Sequence, residues 1–280
     1  MGERGFDQRE SVARRYAEHL TDHDLLVLAG GRTDQVAALR REPGLILDLL
    51  DRPTVLAAVL DASRHEEGGR FSYLSPFLVF AAAVHQVSNM LVGRSYVADR
   101  TGPRLRVPVF DAPLLAAFAT DPVHRLFLAE LLASYARVAS GVVWRRSGRG
   151  WRRQRWDELD LPRLAALLGV VAARERPGVW RRIGDGALFL AGVFPEYARR
   201  FLGVVEVARL QQATGLRLRS VEGDVGEMLE ELAGRAYEKV GIGVPEGVVE
   251  SPRSARRVLT LVSDHYLFPV KPDWLPSRGA

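Results

Sequence analysis

Six times along this chain an Asp or Ser stands one or two residues ahead of a proline: Asp51-Arg52-Pro53, Ser75-Pro76, Asp111-Ala112-Pro113, Asp121-Pro122, Asp160-Leu161-Pro162 and Ser251-Pro252. All six share one chemistry. The Asp or Ser side chain accepts hydrogen bonds from the free N–H groups of a helix start, and the proline has no N–H to leave unpaired. Apolar residues then recur at helical spacing through most of the sequence. The pattern predicts helices over 53–61, 76–92, 111–119, 122–140 and 162–174, and a last one from 252. Periodicity alone adds helices over 10–20, 33–41, 186–193, 195–214 and 224–240, while Gly241 to Gly247 reads as a loop. The tail from Pro269 is irregular, with Trp274 available to dock it.

Strand signals are few. Tyr96-Val97-Ala98 and Leu105 to Phe110 flank a turn at Arg100 to Pro103, and Val142 to Arg146 and Trp151 to Trp156 flank Ser147-Gly148-Arg149-Gly150. The expected fold is therefore all-α, a multi-helix bundle with one or two small β-hairpins. The second hairpin, 141–157, is the natural seam between an N-terminal helical half, 1–140, and a C-terminal one, 158–280. No linker separates them, so one continuous domain is equally compatible.

The chain has no cysteine, which excludes disulfides, cysteine-held metals and thiol nucleophiles. The most apolar run, Pro76 to Val84, is about half of what a membrane span needs, and His85, Gln86, Ser88 and Asn89 follow it. The first residues, Met1 to Asp7, carry no apolar leader core. No membrane partner, no cofactor and a cytoplasmic location are the expectations.

Charge is more informative when located. The formal net charge is +5, yet Trp144 to Trp156 alone holds six arginines and no acid, so the rest of the chain sums to one negative charge. The arginines are Arg145, Arg146, Arg149, Arg152, Arg153 and Arg155. With the turn at Ser147–Gly150, Arg146 lies opposite Trp151, Trp144 opposite Arg153, and Val142 opposite Arg155. Tryptophan and arginine then alternate across the two strands, where guanidinium groups stack on indoles and remain able to meet phosphates. One reading is an anion- or nucleic-acid-binding ribbon. The other is a solvated hairpin whose arginines pair with Asp157, Glu158 and Asp160.

The order of helix 76–92, strand 105–110, helices 111–119 and 122–140 and then the hairpin is that of a winged helix. The helix that would enter the groove offers His124, Arg125, Ser134 and Arg137 among leucines. Asp22-His23-Asp24 has metal-ligand residue types, but neighbours on a helix point about 100° apart, so a helix start is the better reading and no metal site is assigned. His85, on the apolar 76–92 helix, reads as a core histidine or a ligand contact. Gly184-Asp185-Gly186 and Gly241-Ile242-Gly243 lack the strand and spacing of a nucleotide-binding loop.

The string Gly184-Asp185-Gly186-Ala187-Leu188-Phe189-Leu190-Ala191-Gly192-Val193-Phe194-Pro195-Glu196 resembles a G-D-x-x-L-F-L-x-G-x-F-P-E segment of helical bacterial proteins of unknown function, and Gly234 to Tyr237 resembles a later segment of theirs. The resemblance spans about residues 182–240 and implies a helical bacterial protein with no stated activity. In physical terms Gly186 and Gly192 suit close helix approach, Asp185 suits a cap on the 186–193 helix, and Pro195 restarts the chain after a bend. A pocket formed by His85, Asp185, Glu196 and Tyr197 is the alternative. The leading expectation is a non-catalytic binding or scaffolding protein, self-associating or with a protein partner. A nucleic-acid binder using the 144–156 ribbon comes next, then an enzyme or small-ligand receptor.

Overall fold

The computed structural model describes residues 2–64, 74–100, 106–147, 150–218 and 224–267. The chain opens with six helices, α1 (Gly2–His19), α2 (Asp22–Leu28), α3 (Thr33–Arg41), α4 (Gly44–Leu50), α5 (Pro53–Arg64) and α6 (Pro76–Leu91). A hairpin of β1 (Val97–Arg100) and β2 (Arg106–Val109) leads into α7 (Ala112–Thr120) and α8 (Pro122–Ser134). A longer hairpin follows, β3 (Ser140–Ser147) and β4 (Gly150–Asp157). Then come α9 (Leu161–Ala165), α10 (Arg176–Gly192), α11 (Pro195–Phe201) and α12 (Val204–Thr214). The last helices are α13 (Val225–Glu238), α14 (Glu246–Glu250) and α15 (Pro252–Val262). The fold is all-α with two small antiparallel two-stranded sheets among the described residues. No described helix is long and apolar enough to cross a membrane. The tail from Pro269, with Trp274, lies outside the described residues.

Two compact units divide the chain. The first is drawn from residues up to Ala136, with Asp264 rejoining it, and the second from Arg137 to Ser263, so the β3–β4 hairpin belongs to the second. Each unit is built round one apolar helix. In the first, α6 is buried from Phe77 to Ser88 and packs against α5, α7 and α8. In the second, α10 is buried from Ile183 to Gly192 and packs against α13, α15 and α9. A helix that is apolar all round belongs in a core.

The capping logic holds at three of the six starts. Ser75 Oγ accepts from Leu78 N at 3.2 Å, Asp121 Oδ1 from Val123 N at 2.8 Å, and Asp160 Oδ1 from Arg163 N at 3.1 Å. Asp111 and Ser251 make no side-chain cap bond. Asp51 is turned to a different task, described below.

Several boundaries differ from the expected ones, each for a local reason. The helix expected over 122–140 stops at Ser134, where Tyr135 is buried and the chain turns toward the extended, glycine-containing β3. The one expected over 162–174 is α9 plus two 3₁₀ turns, Ala166–Gly169 and Ala173–Glu175, with Gly169 and the β-branched Val170 and Val171 between them. The one expected over 195–214 divides at Gly203, which is extended. The helix expected over 186–193 is the second half of α10, which starts at Arg176-Pro177, so Asp185 sits mid-helix and caps nothing.

Candidate functional site

The β3–β4 ribbon has the expected register. Val142 pairs with Arg155, Trp144 with Arg153 and Arg146 with Trp151. Pairs directly opposite share a face, so Val142, Trp144, Arg153 and Arg155 lie together. All four are exposed, Trp144 at 62%. The opposite face is half-buried: Val143, Gln154 and Trp156 turn inward, and β4 packs on α9. Gly141 pairs with Trp156 and makes that packing possible, because a Cβ there would sit 2.9 Å from the indole Nε1. The side chains of Arg145, Arg146, Arg149, Trp151 and Arg152 lie outside the described part of the structure.

The acids just beyond the ribbon are occupied by other groups. Asp157 Oδ1 accepts from Leu159 N at 2.8 Å. Glu158 accepts from Arg182 Nε at 2.8 Å and from Ala139 N at 2.8 Å. Asp160 caps α9 and pairs with Arg163 at 3.0 Å. Arg153 and Arg155 have no carboxylate partner among the described residues. Two exposed arginines of β4 thus share a face with the exposed Trp144 of β3.

His85 and Asp51 belong to a polar network inside the first unit. Tyr16 Oη lies 3.1 Å from His85 Nε2, and His85 Nδ1 lies 2.7 Å from Asp51 Oδ1. Arg125 Nη1 donates to the same Asp51 oxygen at 2.7 Å. Burial holds the His85 pKa down to about 4, despite the hydrogen bond to Asp51. Burial works against ionisation of Asp51, but the His85 hydrogen bond and the Arg125 charge outweigh it and hold the carboxyl below its usual range. A neutral imidazole facing an ionised carboxylate must donate from Nδ1, which leaves Nε2 to accept from the Tyr16 hydroxyl. The 3.1 Å approach of Arg125 Nη1 to Nδ1 is then two donors converging on one oxygen.

A hydroxyl, an imidazole and a carboxylate in line is the order used to activate a nucleophile. Here Tyr16 and His85 are both fully buried, and burial raises the Tyr16 pKa further. The network ties α1, α6, α8 and the end of α4 together and offers no hydroxyl to a substrate. Arg125 is consumed by it, and His124 stacks on Phe118, 4.3 Å between centroids. α8 is buried from Leu126 to Leu132 apart from Glu130, and it belongs to the first unit whereas the ribbon belongs to the second. The element order is the expected one, but α8 is a core helix of the first unit and is not free to serve as a recognition helix.

The four expected pocket residues do not form one site. Asp185 is buried in the second unit, where Arg181 Nε donates to both its oxygens at 2.9 and 3.0 Å and Tyr237 Oη donates at 2.9 Å. Burial raises its pKa, opposed in part by Arg181 and Tyr237. Arg181 also donates to the Gly243 carbonyl at 2.6 Å, so the cluster fastens α10 to α13 and the loop after it. Glu196 is exposed and pairs with Arg199 at 2.9 Å. Tyr197 lines an open cleft of 730 Å³ bounded by β4, α9, α11 and α12, which the other three do not line. Asp22, of the apparent metal cluster, pairs with Arg40, while Asp24 is buried and serves two helix starts.

Sequence reasoning missed the cleft, whose walls come from four elements spread along the second unit. Of its lining, only Arg155 and Tyr197 are candidate site residues on the sequence alone. The chain matches no described protein family, no curated protein and no solved structure.

Proposed function

We propose that this is a non-catalytic nucleic-acid-binding protein whose contact element is the β3–β4 ribbon. The observation that carries the reading is the exposed Trp144 set opposite Arg153, beside Arg155, with neither arginine paired to an acid among the described residues. A two-stranded ribbon is narrow enough to enter a major groove or to lie along a single strand. Arginine supplies hydrogen bonds to phosphate and the indole supplies a face for stacking. The concentration of six positive charges in thirteen residues, on a chain otherwise near neutral, supports a polyanion as the partner.

The test is fluorescence anisotropy with a labelled duplex and a labelled single strand at several salt concentrations, comparing wild type with Arg153→Ala/Arg155→Ala. Removing one arginine–phosphate interaction should flatten the plot of log affinity against log salt by about 0.7–0.9. The double variant should therefore reduce the slope by about 1.5. No wild-type binding at low salt, or an unchanged slope, refutes the reading.

A specific observation favours a protein contact as a second reading. In the first unit Tyr96 and Phe110 lie 5.9 Å apart, and Phe110 and Leu114 are 75% and 76% exposed. Such clustering of large apolar residues marks interaction surfaces. Sedimentation of wild type against Phe110→Ser/Leu114→Ser tests self-association through it. A wild type that stays monomeric at high concentration removes that form of it.

A further inference from the structure

The cleft beside the ribbon has a lining unlike the rest of the surface. Its floor is apolar, with Leu161, Leu190, Ala198 and Leu202 all buried. One wall is aromatic: the rings of Tyr197 and Phe201 lie 4.3 Å apart, tilted by 33°. The Arg200 guanidinium sits 5.6 Å from the Phe201 centroid.

Around this floor stand polar groups with nothing to bind. The side-chain amides of Gln154 and Gln212 and the Tyr197 hydroxyl make no hydrogen bond among the described residues. Burial, with Asp157 and Asp160 nearby, raises the Tyr197 pKa, so the hydroxyl stays protonated and can donate. The charged lining is mostly self-satisfied. Asp160 pairs with Arg163 at 3.0 Å and Glu206 with Arg209 at 3.9 Å. Arg155 is the lining cation with no acid among the described residues, and it is also a member of the exposed ribbon face.

We infer that this cleft receives an unstacked nucleobase, so that the protein holds single-stranded nucleic acid in preference to duplex. This rests on the ribbon being the nucleic-acid contact. The chemistry of the lining fits each part of a nucleotide. Primary amides present a donor and an acceptor side by side, which matches a base edge. The aromatic wall offers a flat face to a base ring, and sequence-tolerant stacking of that kind is the usual mode of single-strand recognition. Arg155 stands between cleft and ribbon, where the phosphate of an extruded base would continue onto the backbone path past Arg153 and Trp144. The cleft volume is within the range of small-ligand sites, about 300–1,000 Å³. A base held inside a duplex cannot reach such a site without leaving the stack.

The experiment uses the full chain with a mixed-sequence single strand carrying one 2-aminopurine, and the matching duplex. Phe201→Ala and Gln212→Ala alter exposed side chains of the cleft and leave the ribbon unchanged. Wild type should hold the single strand at least about tenfold more tightly than the duplex, and 2-aminopurine emission should drop on binding as the base stacks. Both variants should abolish that preference and the emission change, with duplex affinity and salt slope intact. If the variants hold the single strand as wild type does, or wild type shows no preference, the cleft inference is overturned while the ribbon reading stands. If wild type binds neither nucleic acid, both fall together.

Discussion

Acid should destabilise the first unit through one residue, and the size of the effect follows from the geometry. His85 is fully buried and neutral, with a pKa near 4 against an ordinary 6.5. The sign is set by proton uptake. Between these two values the unfolded chain binds a proton at His85 that the folded chain refuses, so stability falls as pH drops through 6.5 and keeps falling to about 4. The full interval corresponds to about 3 kcal/mol, of which about 2 kcal/mol is lost between pH 7 and pH 5. Urea unfolding from pH 7 to pH 4, followed by far-ultraviolet circular dichroism, should show the loss in wild type. His85→Gln, which cannot titrate, should unfold more easily at pH 7 but with a pH dependence shallower by one proton. Histidine resonances report on the first unit, to which His19, His23, His85, His124 and His265 belong. By NMR, His85 should keep its neutral Nδ1–H form at pH 5.5. A His85 that titrates near 6.5, or a variant with the wild-type slope, would refute the assignment of a neutral, buried imidazole.

Three further outcomes test the second unit. Gly184→Ala should cost about 1–3 kcal/mol in thermal or urea unfolding, because its Cβ would lie 2.7 Å from Tyr237 Cδ1 in a core with no room to yield. Tyr237→Phe removes the 2.9 Å hydrogen bond to Asp185 and should cost about 1–3 kcal/mol. Asp185 has a raised pKa, so its proton is bound more tightly in the folded state: its contribution is present at low pH and lost as pH rises through the folded value, the opposite sense to His85. Asp185→Asn should remove that dependence, seen as a flatter stability profile above pH 4. Separately, Trp144 should give red-shifted, readily quenched emission, and wild type less Trp144→Phe isolates it.

The fold class was legible because proline-marked starts and helical periodicity act locally, and a few residues suffice to state them. Ser75, Asp121 and Asp160 cap the helices they precede. The ribbon register was equally readable, since turn length fixes which residues face each other. Asp51 shows where such reading ends. Beside Arg52-Pro53 it has the form of a cap, yet His85 and Arg125, distant in sequence, take its carboxylate. Asp185 fails the same way: its partners Arg181 and Tyr237 require α10 to run unbroken and α13 to lie against it. α4 is only seven residues long, too short for periodicity to reveal. The cleft is invisible to any window of sequence, because Gln154, Tyr197 and Gln212 converge only once α9, α11 and α12 are packed.

Asp24 carries a consequence for how the first unit forms. One of its oxygens accepts from Thr21 N at 2.8 Å and closes the capping box of α2, and the other accepts from Ser75 N at 2.8 Å, immediately before α6. A single buried carboxylate therefore terminates two helices whose starts are far apart in the chain. The α2 box closes within its own turn, but the Ser75 amide before α6 is satisfied only once α2 has formed and docked, so the entry to the central helix depends on the α2 start. In native-state hydrogen exchange the Ser75 amide should open no less readily than that of Thr21, and Asp24→Ala should release both.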